Sequence, residues 1–249
     1  MAMLAAASSA IANAARTDVG NTGFGPQYCE TPDFIAGVFP VEPANAISSG
    51  VIVLFGIASF ILVVRRSPRA LELYLLCVLL IVNGVGSILW HGLRTRWALT
   101  LDVTPALIFL LLIAIMWARR VAPWWQIVAV GAGIAALSYA LRYVDLGLPG
   151  RWGAMAPLIV AAAVWLIARS YSISTTAALA GLGALASAVA ALIFRSIDRI
   201  VCDSIPMGTH FLWHVFLSAA AFLCVWTIVH LSNKQADKAE TTEPAKTAA

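Results

Sequence analysis

Seven apolar stretches fill most of this chain, at roughly 46–64, 71–90, 99–118, 122–141, 153–169, 175–194 and 209–231. Each is near the length of about 20 residues that an α-helix needs to cross a bilayer. Within the hydrocarbon no water can satisfy backbone N–H and C=O groups, so long apolar segments must be helical there. The pattern predicts an all-α fold, a polytopic membrane protein built as a seven-transmembrane helix bundle. Composition agrees, with 61% of the 249 residues hydrophobic and 11% charged, where soluble domains carry about 25% charged residues. The fourth to sixth stretches are rich in Ala and Gly, which lets helices pack closely.

The net charge of +4 does not indicate nucleic-acid binding. The basic residues stand singly or in pairs at the ends of apolar stretches, as anchors to the membrane interface. Residues 1–26 read as a flexible tail, because no basic region precedes a long apolar core. Residues 27–45 read as a segment before the first helix, 46–231 as the bundle, and 232–249 as a polar, disordered tail. With the N-terminus outside, nine of the 16 Lys and Arg residues fall on the cytoplasmic side and seven outside. The clusters RRSPR and ARR favour that orientation, which makes 27–45 extracytoplasmic and the C-terminal tail cytoplasmic. Trp90, Trp97, Trp117, Trp124, Trp125 and Trp152 fall near predicted helix ends and read as an interfacial belt.

The chain has four histidines, and a polar ring at membrane depth must find partners or do work. His210 and His214 are four residues apart at the start of the last stretch, so they share a helix face. Alternating topology puts the end of helix 2, the start of helix 3 and the start of helix 7 on one side of the membrane. Ser87 and His91, Asp102, and His210 with His214 therefore reach one depth from three helices. Three imidazoles with a fourth position left open match catalytic zinc. Zinc lowers the pKa of a bound water and polarises a carbonyl. Asp102 would hold or deprotonate that water, and Ser87 would hydrogen-bond the developing oxyanion. His230, at the far end of helix 7, reads as a plain interfacial histidine. Arg195 and Asp198, near the end of helix 6, read as a structural ion pair or as shaping the entrance to the site.

Ser-x-x-x-His with an Asp eleven residues after the His, in GVGSILWHGLRTRWALTLD, followed by the distant HFLWH, resembles the alkaline ceramidase family. FRSIDRIVCDS, from Phe194 to Ser204, is similar to that family's approach to its last helix. YCETPDFIAGVFPVEPANAIS, from Tyr28 to Ser48, is similar to its segment before helix 1. The resemblance covers about residues 27–231. It implies a zinc-dependent amidohydrolase on linear amides, with zinc on His91, His210 and His214 and with Ser87 and Asp102 catalytic. The substrate it implies is ceramide or a similar N-acyl lipid, entering from the bilayer and cleaved to a long-chain amine and a fatty acid.

The resemblance also implies a second metal, calcium, at Tyr28, Glu30 and Glu42. Here the sequence departs from the family. Gln27 stands where the family has Asp, and Pro32 where it has Asn, with Asp33 as a nearby substitute ligand. Cys29 and Cys202 fall on the same side, so a disulfide between them is allowed in an oxidising compartment. The family has such a link, and the alternative is two free thiols. The reading that competes with an enzyme is a seven-helix membrane receptor or sensor with a structural zinc, which would need neither Asp102 nor Ser87. A proton relay or transporter would instead distribute acidic residues through the helices, whose interiors here are otherwise apolar.

Overall fold

The computed structural model describes residues 28–32, 38–140 and 150–242. The tail expected over 1–26, and Gln27 and Asp33, lie outside them. The described chain forms seven α-helices and no strand: α1 (Pro43–Arg66), α2 (Leu71–Leu93), α3 (Arg96–Val121), α4 (Trp124–Ala140), α5 (Gly150–Tyr171), α6 (Thr175–Ile197) and α7 (His210–Thr242), with a short 3-10 turn at Asp198–Ile200 after α6. Three of them as they stand, together with α6 carried on to Ile200 and α7 taken as far as Asp237, make five spans that are long and apolar enough to cross a membrane. Those five are α1, α2, α3, α6 and α7, whereas α4 and the stretch 158–171 of α5 are apolar but shorter.

The last helix corrects the sequence reading. It runs to Thr242, although residues from 232 were expected to be disordered. Hydropathy falls after Leu231, but Lys, Gln, Ala and Glu are strong helix formers. The turn just past the apolar run is also held by partners. Arg120 donates from Nε to Ser232 Oγ at 2.6 Å, and Gln235 donates to the Arg120 carbonyl at 2.8 Å. Ser67 donates to Asn233 Oδ1 at 3.2 Å.

The described residues group into two compact units. One gathers residues up to Gly56 with Leu79–Leu107 and Ala190–Ser218, and the other gathers Ile57–Val78, Ile108–Val189 and the chain from Ala219. In the second unit Trp117 is buried and donates to Ser170 Oγ at 2.8 Å. Trp90, in the first unit, is also buried. Neither therefore belongs to an interfacial belt, while Trp97, Trp124 and Trp125 are exposed as such a belt requires. The indole N–H of Trp117 needs a partner when its body is packed, and a helix-borne serine supplies one.

The first unit holds all the sequence-predicted site residues, and its helices approach closely where Asp102 must be placed. Pro105 has no N–H to give to the carbonyl four residues back, at Leu101. That carbonyl faces Gly86, where a methyl group would run into Leu101 C and O and come within 2.6 Å of Asp102 N. Glycine thus lets α2 and α3 touch at the turn that carries Asp102. Gly86→Ala is expected to lower stability by about 1–3 kcal/mol through overpacking. Thermal unfolding in detergent measures it, and an unchanged melting temperature would refute the close approach.

Candidate active site

The start of α7 is fixed by one carboxylate. The first N–H groups of a helix lack intrahelical partners, and an acidic side chain there also meets the positive end of the helix dipole. Asp198 Oδ1 accepts from Thr209 N at 2.7 Å and His210 N at 2.8 Å, and Oδ2 accepts from Cys29 N at 3.2 Å. Asp198 is therefore committed to backbone donors and is not the ion-pair partner of Arg195. The guanidinium of Arg195 lies 5.1 Å from the Trp213 ring centroid instead. Gly208 has φ +66°, and a Cβ there would strike Asp198 Oδ1 and approach Cys29 Cβ to 2.9 Å. The turn into α7 thus has room only for glycine. Cys29 and Cys202 are joined by a disulfide spanning 173 residues of sequence, which holds the segment around Tyr28 against this turn.

His91 on the last turn of α2 and His210 and His214 on the first turns of α7 come together. Their candidate ligand atoms all lie within 4.8 Å of one another, and all three rings are at most 2% exposed. Ring centroids are 5.3 Å apart for His91 and His210, 4.9 Å for His91 and His214, and 4.7 Å for His210 and His214. The convergence predicted from topology is present.

Two of the rings have their second nitrogen engaged. His91 Nδ1 lies 2.5 Å from Glu42 Oε2. His214 Nδ1 lies 2.8 Å from Ser48 Oγ, whose hydroxyl donates to the Asn45 carbonyl at 3.0 Å. Those contacts hold the rings so that Nε2 is left for another task, which is how metal-ligating histidines are held in general. His210 Nδ1 is buried with no hydrogen-bond partner. A buried polar atom without a partner costs free energy, and a metal ion is a partner that would remove that cost. Tyr28 covers the His210 ring, stacked at 3.9 Å between centroids.

Beside the cluster stands a polar chain. Asn83 donates through Nδ2 to the Asp102 carbonyl at 2.7 Å and to Asp102 Oδ1 at 3.1 Å. Ser87 stands beside the Asp102 carboxylate, and Ser49 donates to Ser87 Oγ at 3.0 Å. Asn83, Ser48 and Ser49 were not singled out from sequence. Asn83 was detectable in principle, as an amide in an apolar stretch one turn before Ser87.

The region expected to bind calcium is arranged otherwise. Glu30 accepts from Ala44 N at 2.5 Å and Asn45 N at 2.9 Å, capping α1. Glu42 receives Thr31 Oγ1 at 2.5 Å, His91 Nδ1, and the Arg94 guanidinium at 3.4 Å. Both carboxylates are occupied by protein groups, and among the described residues they form no ligand cluster with a third acid. Calcium takes 6–8 oxygen ligands, so the expectation at Tyr28, Glu30 and Glu42 receives no support. Burial raises both carboxyls, that of Glu42 to about 7, against the pull of Arg94 and Thr31. Burial likewise raises the Tyr28 hydroxyl, with Arg195 opposing it.

The family model described as Ceramidase matches residues 26–246 of this chain. No curated protein matches it.

Proposed function

The chain belongs to the ceramidase family, and on that premise we propose that it cleaves the amide of ceramide or a similar N-acyl lipid at the three-histidine cluster. We assign zinc to His91, His210 and His214. The observation that carries the assignment is three buried imidazoles with ligand atoms within 4.8 Å of one another, two of them held through Nδ1. Zinc suits imidazole nitrogen and keeps an open position when three protein ligands hold it. Bound there, it would supply Lewis acidity and lower the pKa of a water.

The chain's own residues supply the remainder. Asp102 takes the proton of the attacking water as its oxygen bonds to the amide carbon. It then returns that proton to the nitrogen as the C–N bond breaks, releasing a fatty acid and a long-chain amine. Ser87, which Ser49 links to His214 through contacts of 3.0 and 3.4 Å, donates to the carbonyl oxygen as negative charge develops on it. Asn83 fixes the carboxylate, and burial of the rings excludes bulk water. A bilayer lipid reaches this site laterally, with its acyl chains among the apolar helices. We orient the cluster and the residue 27–45 segment extracytoplasmically and the C-terminal tail to the cytoplasm.

A receptor with a structural zinc remains the competing reading. The Ser87, Asp102 and Asn83 arrangement favours hydrolysis, because a structural ion needs none of it. The deciding measurement is fatty-acid release from ceramides of several chain lengths by protein purified in detergent, with bound metal counted. Release together with about one zinc per chain is expected. Zinc without cleavage of any N-acyl lipid would favour the receptor, and no zinc in protein never exposed to chelator would remove the metal centre.

A further inference from the structure

Arg94 follows directly on α2 with φ 52°, the one left-handed residue other than glycine among the described residues. Its N–H bonds the Trp90 carbonyl at 2.8 Å, which makes it the residue that closes the helix in the position where glycine is usual. A strained residue that persists points to a role for its side chain. That side chain is buried rather than solvated. Its guanidinium lies 4.0 Å from the Trp90 ring centroid and 5.5 Å from that of Tyr28. Nη1 is 3.4 Å from Glu42 Oε1. The other oxygen of the same carboxylate meets His91 Nδ1.

The backbone supports the same arrangement. Glu42 N donates to the His91 carbonyl at 3.0 Å, and Val41 N donates to the Gly92 carbonyl at 3.1 Å. The last carbonyls of α2 are thus satisfied by the segment before α1, which brings a fully buried acid between His91 and Arg94. An isolated buried carboxylate is costly without a paired charge, and Arg94 is the paired charge.

We propose that Arg94 is a positioning residue, an internal cation that holds Glu42 so that its carboxylate accepts the Nδ1–H of His91 and fixes that ring with Nε2 free. This deepens the metal-centre reading, on which its consequence for zinc rests. The tautomer itself needs no ion.

The test uses the full chain in detergent micelles, without metal, with ring nitrogen-15 NMR of histidine and His91 assigned by its loss in His91→Gln. Wild type is expected to carry its His91 proton on Nδ1. Arg94→Gly suits the left-handed backbone and so keeps the helix end, which the melting temperature checks. It is expected to shift His91 towards a mixture of tautomers, and Arg94→Lys to restore much of the Nδ1–H form. A wild-type His91 protonated on Nε2, or an Arg94→Gly tautomer identical to wild type, overturns the inference. Zinc titration against a chromophoric chelator reads the consequence. Loss of a residue behind a ligand costs about 10–100-fold in metal affinity, and that loss is expected in Arg94→Gly. Because Arg94 acts through Glu42, adding Arg94→Gly to Glu42→Gln should cost nothing more. If wild type takes up no zinc while the tautomer shifts as stated, the positioning role stands and the metal centre falls.

Discussion

His210→Ala is expected to leave the purified protein without zinc and to abolish fatty-acid release. The imidazole is one of three buried rings, and its Nδ1 is buried without a hydrogen-bond partner. Removing a group behind a ligand already weakens binding by up to about 100-fold, so removing a ligand should exceed that. The fold should survive the change. Asp198 caps α7 through the backbone N–H groups of Thr209 and His210, and alanine keeps both while being the best helix former. Metal content by elemental analysis, read beside the melting temperature, separates loss of the ion from loss of the fold. Stoichiometric zinc in a folded His210→Ala protein would remove His210 from the ligand set.

Asp102→Asn is expected to keep zinc and lose turnover. The carboxylate is not within the histidine group, so affinity for the ion should hold. Proton transfer by a positioned side chain contributes about 10²–10⁴-fold, and kcat should fall by that range. Asparagine keeps the shape and can still accept from Asn83, although its amide cannot take a proton. The substitution therefore separates chemistry from placement. Unchanged kcat would move the proton-transfer role elsewhere, while loss of zinc would make Asp102 part of the metal site.

The histidine cluster was legible because it needs little information. The i, i+4 spacing of His210 and His214 and the parity of membrane crossings bring three segments to one depth, and hydropathy alone counts the crossings. Roles that depend on the choice among nearby partners were less legible. Glu42 read as a calcium ligand because its segment resembles one that binds calcium in the family. Its carboxylate in fact faces His91, which is 49 residues away in sequence. Asp198 read either as an ion-pair partner for Arg195, three residues earlier, or as shaping the entrance, whereas it caps a helix that begins twelve residues later. Arg94 carried no signal, since a basic residue in a short connection looks like an interface anchor. The end of α7 was misplaced because transfer to lipid and helix formation are different free energies, and only the first falls after Leu231.

By itself, then, the sequence determined the class of fold, the order of the helices and the end of the molecule where the histidines meet. Each follows from the cost of placing polar groups in hydrocarbon, which is paid residue by residue and can be read along the chain. Tertiary structure decided which nitrogen of His91 and of His214 is engaged, which acid stands behind which base, and how α2 and α3 come close enough to set Asp102. Those depend on distances of a few ångströms between segments remote in sequence. Hydrogen bonds and close packing discriminate at that scale, and composition and spacing do not encode it.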